Sequence, residues 1–197
     1  MKLYKLSLPL TLLIMSAPAS AYNFQFNAGV DTNKSFAAGI EGVVYDNYVL
    51  GAQINLSTTE NYESGSYSDI FLTNGTYTKK RSSQLGTLYV GYQFSETALE
   101  GLSIKFGVTQ MVLDMSGDAY GKVGVGTPQE ETIGYELYKQ TERKSLPFLG
   151  LGYPISERLV FNVHATFGGI ETLKIEGKQE PTGMDSTTVS FLLGFRF

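Results

Sequence analysis

Large apolar residues recur at every second position in eight separate stretches of this chain, and no long window carries helical spacing instead. The first stretch, residues 23–30, sets Phe24, Phe26, Ala28 and Val30 against Gln25, Asn27 and Gly29. The second, 36–44, carries Phe36, Ala38, Ile40 and Val44 on one side; the third, 48–56, carries Tyr48, Leu50, Ala52, Ile54 and Leu56. Leu88, Val90, Tyr92 and Phe94 mark the fourth, and Leu102, Ile104, Phe106 and Val108 the fifth. The sixth, 145–153, is partly apolar on both sides, so its facing is the least defined. Leu159, Phe161, Val163, Ala165 and Phe167 make the seventh. In the eighth, Val189, Phe191, Leu193, Phe195 and Phe197 alternate with Ser190, Leu192, Gly194 and Arg196. A period of two with one apolar side predicts strands.

The connections alternate in length. A tight turn is expected at Asp46-Asn47, and short links follow the fourth and sixth strands. Long polar stretches cover 57–83, 114–144 and 168–186 after the third, fifth and seventh. Within 57–83, Asn74-Gly75 between 70–73 and 76–78 reads as a hairpin tip, so strands three and four are expected to continue as a ribbon above the membrane. An even strand count, short turns at one end and long loops at the other predict a transmembrane barrel with both termini on the short-turn side.

The side opposite the large residues carries three charges, Glu41, Lys105 and Arg196, among Gly, Ala, Ser, Thr, Asn and Gln. A soluble barrel exposing that side to water needs many more charges. Small neutral side chains suit the narrow interior of eight strands instead, which turns the aromatic side to lipid. Tyr48, Tyr92, Tyr153 and Phe197 then fall at the short-turn ends, where an interfacial aromatic girdle belongs. Charges inside so narrow a lumen are expensive unless paired, so Glu41, Lys105 and Arg196 are expected to share one network that plugs or gates the bore. The fold class expected is all-β, an eight-stranded antiparallel up-and-down transmembrane β-barrel.

Residues 1–21 read as a cleaved signal peptide, with Lys2, Lys5, an apolar run over 6–15 and a small-residue site at Ala19-Ser20-Ala21. That run is too short to span a bilayer as a helix. The barrel domain is therefore expected over 22–197, exported to the outer membrane. No cysteine is present, which excludes disulfides, cysteine metal sites and a lipidated N-terminal cysteine. Loss of Lys2 and Lys5 takes the net charge from −4 to −6, a balance that argues against nucleic acid.

Candidate chemistry is sparse, and neither cofactor nor metal is expected. The one histidine, His164, falls on the lumen side and is followed by Ala165-Thr166, without the Ser two residues on that lipid A deacylases show. Gly121-Lys122-Val123-Gly124-Val125-Gly126 looks like a phosphate loop but lacks the strand-to-helix context, and reads as extracellular loop. Basic residues gather where the long stretches return to the membrane: Lys79, Lys80 and Arg81, then Arg143 and Lys144, with Lys34, Lys174 and Lys178 in other connections. At that height they are placed to pair with lipopolysaccharide phosphates or sulfated host glycans.

The leader, the eight alternating strands, the loop asymmetry and the terminal Phe together resemble the small Gram-negative outer-membrane barrels of the OmpX/Ail and OmpA-transmembrane type. Val189, Phe191, Leu193, Phe195 and Phe197 resemble the C-terminal signal by which the barrel-assembly machinery recognises such proteins. The resemblance implies a monomer in contact with outer-membrane lipid and lipopolysaccharide, whose loops serve adhesion, colonisation or contact with a host-surface or matrix ligand. No peptidoglycan-binding domain is expected after the barrel, unlike full-length OmpA. A narrow or gated channel for small molecules is the alternative, and a lipid A-modifying enzyme a remote one.

Overall fold

A computed structural model describes residues 23–68, 73–95, 100–123, 125, 131–175, 177–184 and 186–197; the expected signal peptide and Tyr22 lie outside these. The strands are β1 (Asn23–Asp31), β2 (Phe36–Val44), β3 (Tyr48–Leu56), β4 (Glu60–Tyr67), β5 (Thr73–Gln93), β6 (Ser103–Val123), β7 (Glu131–Pro154), β8 (Leu159–Phe167), β9 (Thr172–Ile175), β10 (Lys178–Pro181) and β11 (Thr187–Arg196). Eight of them form a closed antiparallel ring in the order β1-β2-β3-β5-β6-β7-β8-β11. Pairings such as Leu50↔Val90 between β3 and β5, and Ala28↔Leu193 between β1 and β11, complete it. Closure leaves no sheet edge in the ring, which a bilayer demands because it offers no hydrogen bonds to a bare backbone.

The two sides of the ring are inverted relative to a soluble protein. Phe26, Phe106 and Phe191 are 49%, 58% and 45% exposed, whereas Asn27, Lys105 and Asn162 are at most 1% exposed. So large an apolar surface is stable only against lipid. Tyr48, Tyr92, Tyr153 and Phe197 are all exposed on this outer surface at the short-turn end.

Three ring strands are far longer than their sequence signal suggested: 21 residues for β5, 21 for β6 and 24 for β7. The stretches at 57–83 and 114–144 are mostly strand rather than loop. β4 pairs with β5, and the β6–β7 hairpin runs up to Val123↔Glu131. Outward positions change from Leu88, Val108 and Leu149 to Gln84, Gln110 and Ser145 on climbing these strands, so the lipid band ends there while pairing continues. Residues 110–123 add roughly 30–45 Å of strand above it, depending on tilt. The result is a four-stranded blade, β4-β5-β6-β7, standing clear of the membrane. β7 pairs with β8 only from Phe148↔Thr166 downward, so its residues 136–147 pair with no strand on that side among the described residues, and the 169–172 connection lies beside 142–144.

Two turn expectations are corrected. Between β2 and β3 the left-handed residues are Tyr45 (φ 48°) and Asp46 (φ 66°), one position before the Asp46-Asn47 expected. Asn47 instead uses its amide to tie the neighbouring turn, donating to the Gln93 carbonyl and Ser95 Oγ, each at 2.9 Å. Asn74-Gly75 is not a hairpin tip. Gly75 pairs with Tyr67 and Asn74 (φ 49°) lies in a bulge of β5 against β6, while residues 69–72 lie outside the described residues. Asn tolerates the left-handed region in a bulge as readily as in a turn, so the dipeptide alone does not separate the two. Of the phosphate-loop look-alike, Gly121, Lys122 and Val123 are the end of β6, whereas Gly124 and Gly126 lie outside the described residues.

The last long connection folds inward. Ile170 and Leu173 bury themselves against Leu85, Met111, Leu113, Met115 and Leu146 of the blade's inner side, with Tyr62, Tyr138, Ile175 and Met184 packed around. The β9–β10 hairpin thus lies across the outer mouth. Met111, Leu113 and Met115 already alternated in the sequence, continuing the inward positions of β6 in apolar form.

Candidate functional site

Two regions hold the chemistry: the lumen and the blade. In the lower lumen, Lys105 Nζ lies 2.6 Å from Glu41 Oε2 and donates to Asn162 Oδ1 at 2.6 Å. Tyr89 OH donates to the same carboxylate oxygen at 3.0 Å, and Asn27 Nδ2 at 3.4 Å. Asn162 and Gln25 each donate to Asn27 Oδ1, at 2.9 and 2.6 Å. Arg196 does not touch Glu41; its guanidinium donates to Gln25 Oε1 at 3.3 Å and Gln93 Oε1 at 3.5 Å. The structure therefore joins Glu41 and Lys105 directly, and Arg196 through Gln25. Alternation on β1, β2, β5, β6, β8 and β11 aims all these side chains at one axis.

Above that pair lies an aromatic layer. Tyr89 stacks on Phe148 at 5.2 Å between ring centres, and His164 meets both rings edge-on at 5.5 and 5.1 Å. His164 Nδ1 is bonded to Gln53 Oε1 at 2.5 Å, and its Nε2 has no hydrogen-bond partner among the described residues. Among the described residues neither a serine hydroxyl nor a carboxylate hydrogen-bonds to this imidazole. Tyr89 can lie across the bore because residue 51 is glycine: a methyl there would collide with the phenol ring. Gln53, Asn55, Ser190 and Asp31 form the next hydrogen-bonded tier, with Asn55 Nδ2 to Asp31 Oδ2 at 2.6 Å. The Leu and Met cluster under the β9–β10 hairpin seals the top. Sequence reasoning gave Tyr89 and Phe148 no role; the available signal was a large ring on the side otherwise reserved for small residues.

On the blade, the basic residues meet carboxylates of the same chain. Lys79 Nζ lies 3.0 Å from Glu63 and 3.3 Å from Glu180, Lys80 lies 2.7 Å from Asp118, and Arg81 Nε lies 2.6 Å from Glu60. Arg81 also donates to the Thr182 carbonyl at 2.6 Å, and Lys144 to that of Gly169 at 2.7 Å, so both latch the inward-folded connection. Arg143 is exposed on the opposite side of β7 and takes part in none of these contacts. The five basic residues grouped in the sequence thus do not form one cationic patch. Hydrogen bonds from Tyr77 and then Lys79 hold the Glu63 carboxyl below its ordinary range. Partial desolvation opposes the charge of Lys79, but Glu63 and Glu180 outweigh it and hold the ammonium above its usual value. Burial, then the Tyr62 hydroxyl, raises the Tyr138 phenol.

The terminal strand is held at both ends of its register. Phe197 N donates to the Phe24 carbonyl at 2.9 Å, and the Phe195 and Phe197 rings meet edge-on at 5.2 Å. Val189, Phe191, Leu193, Phe195 and Phe197 share the lipid side.

No protein-family model matches the chain, and no curated protein matches it. Among solved structures it is similar to Acinetobacter baumannii CarO, at 15% identity and a TM-score of 0.47 over 89% of this chain and 97% of that one. It is similar to Ail, the attachment invasion locus protein of Yersinia pestis, solved in complex with the heparin analogue sucrose octasulfate, at 8% identity and 0.44 over 89% and 95%. It is also similar to Neisserial surface protein A, at 12% and 0.32 over 89% and 92%. The assignment of the fold rests on the closed eight-strand ring and its outward apolar band.

Proposed function

We propose that this chain is a surface-display barrel of the outer membrane, exported by residues 1–21, whose blade binds an extracellular partner while its lumen stays shut. The observation that carries the reading is the blade itself: strands that outrun the lipid band and end in water serve no purpose in crossing a membrane. Its β7 side supplies backbone donors and acceptors over 136–147, the form in which sheets accept an added strand. Tyr77 and Tyr120 add the rigid, amphipathic side chains favoured at contact surfaces. The tiers of the lumen support the other half of the reading: an ion pair, a three-ring layer and an apolar seal succeed one another along the axis, which disfavours transport.

Residues 116–139 can be replaced by Asn-Gly, because Met115 and Gln140 are already paired across the hairpin. Cells displaying this trimmed chain should lose binding to matrix proteins that the full chain retains, while the barrel keeps its heat-modifiable migration. Equal binding by both chains would remove the blade from the account.

A further inference from the structure

A polar pit of about 200 Å³ opens at the outer mouth, where four segments distant in sequence converge. The β1–β2 turn contributes Thr32, Asn33 and Lys34; the exit of β3 contributes Ser57, Thr58 and Glu60; β5 contributes Arg81, Ser82 and Ser83; and the connection before β11 contributes Gly183 and Met184. It shares no residue with the 136–147 edge of β7, so it stands apart from the proposed blade contact.

The walls of the pit are fixed by their own hydrogen bonds. Asp31 Oδ1 accepts the N–H groups of Asn33 and Ser35, both at 2.9 Å, which holds Lys34 in the left-handed region (φ 59°). Ser57 and Ser83 bond to each other through side chain and backbone, with Ser83 N to Ser57 Oγ at 2.6 Å. Arg81 is fastened by Glu60 and the Thr182 carbonyl and lies 5.4 Å from the Tyr62 ring centre. Gly183 (φ 64°) makes room for it, since a methyl there would come within 2.6 Å of Arg81 Nη1.

Two lining side chains are left uncommitted. Lys34 and Thr58 make no side-chain hydrogen bond or ion pair among the described residues, and they come from two different walls. Arg81 is balanced by Glu60, so Lys34 leaves the pit with one positive charge in excess. Met184 supplies an apolar patch. One free cation, several hydroxyls, one apolar patch and a volume below that of a drug-sized pocket describe a receptor for a single small hydroxylated anion. We infer that the pit binds one acidic sugar residue, its carboxylate on Lys34 and a hydroxyl on Thr58. Such a sugar can come from an external glycan or from the acidic inner core of lipopolysaccharide.

The test uses the full barrel refolded in lipopolysaccharide-free micelles and titrated with N-acetylneuraminate, glucuronate and glucose. The acids should bind saturably, and glucose about ten-fold more weakly or worse, as expected for one charge-assisted contact. Lys34→Gln should erase that preference and Thr58→Trp should fill the pit and abolish binding, with thermal stability unchanged in both. A second arm adds lipopolysaccharide truncated to its inner core: competition with the free acids identifies the membrane's own sugar, and its absence an external one. Failure of both acids to bind saturably, or binding indifferent to Lys34→Gln and Thr58→Trp, would overturn the site. Cell binding lost only on trimming 116–139 is a separate readout, so the two proposals fail independently.

Discussion

The lumen and the blade use the same ion-pair chemistry in surroundings so different that it has opposite consequences. Lys105 and Glu41 are 0% and 5% exposed, and three further polar groups, those of Asn27, Tyr89 and Asn162, complete their hydrogen bonding. On the blade, Arg81–Glu60 is 19% and 50% exposed and Lys79–Glu63 19% and 43%. In the lumen each charge depends on its partner, because water cannot replace it. On the blade water can, so the pairs chiefly choose which parts touch and leave little net charge for a ligand. The lumen is accordingly read as structural and the blade as adaptable.

The sharpest way to break this contrast is to remove one lumen partner. Lys105→Ala strands the Glu41 carboxylate among Tyr89, Asn27 and Asn162, and should cost about 3–5 kcal/mol of stability. Urea unfolding in micelles measures it, and Glu41→Gln with Lys105→Met together should recover most of the loss. A single variant as stable as the parent would show that water reaches the pair.

Next in size is the apolar seal. Leu173→Ala should weaken the seat of the β9–β10 hairpin by about 2–4 kcal/mol, as buried Leu truncations do. Hydrogen exchange over 172–181 should rise while β1, β2 and β11 stay protected. Uniform loosening of the ring would instead mean that the seal and the barrel form one cooperative unit.

Deleting Phe197 removes an edge-on ring contact and the backbone bond to Phe24. Lower outer-membrane yield is expected, read by surface labelling, with little effect on stability once folded. Undiminished yield would dismiss the terminal strand as an assembly signal.

The smallest effect belongs to the blade pairs. Lys79→Ala should cost less than about 1 kcal/mol, and less still in high salt. Glu63 titrates below its ordinary range in the folded state, so its contribution is complete above that range and is lost as pH falls below it. Exchange protection of β4 should decline in that window, before the ring changes. Protection that is flat from neutral pH to pH 3 would detach β4 from this pair.

How much of this was legible depended on where a single physical rule governs. Lipid on one side and a narrow bore on the other force strict alternation, so Phe24 to Val30 or Val189 to Phe197 betray both strand and facing. Above the membrane that rule lapses. β5 over Lys79–Gln84 and β7 over Glu131–Lys144 carry polar residues on both sides, and the cross-strand pairing that makes them strands leaves no mark in either segment alone. Glu41 and Lys105 stood out because a charge is rare on the lumen side. Tyr89 and Phe148 did not, because their role depends on Gly51 and on each other across the bore. The basic residues expected at loop bases lie within β5 and β7, and their carboxylate partners lie far along the chain: Glu180 is 101 residues from Lys79.

The central claim is that binding belongs to the blade and not to the lumen. Surface binding to matrix proteins should be measured side by side for cells displaying the parent, the 116–139→Asn-Gly chain and the Glu41→Gln/Lys105→Met chain, at matched surface levels. The account predicts that the trimmed chain loses binding and the lumen variant keeps it in full. Binding that survives trimming but falls with the lumen pair would contradict it.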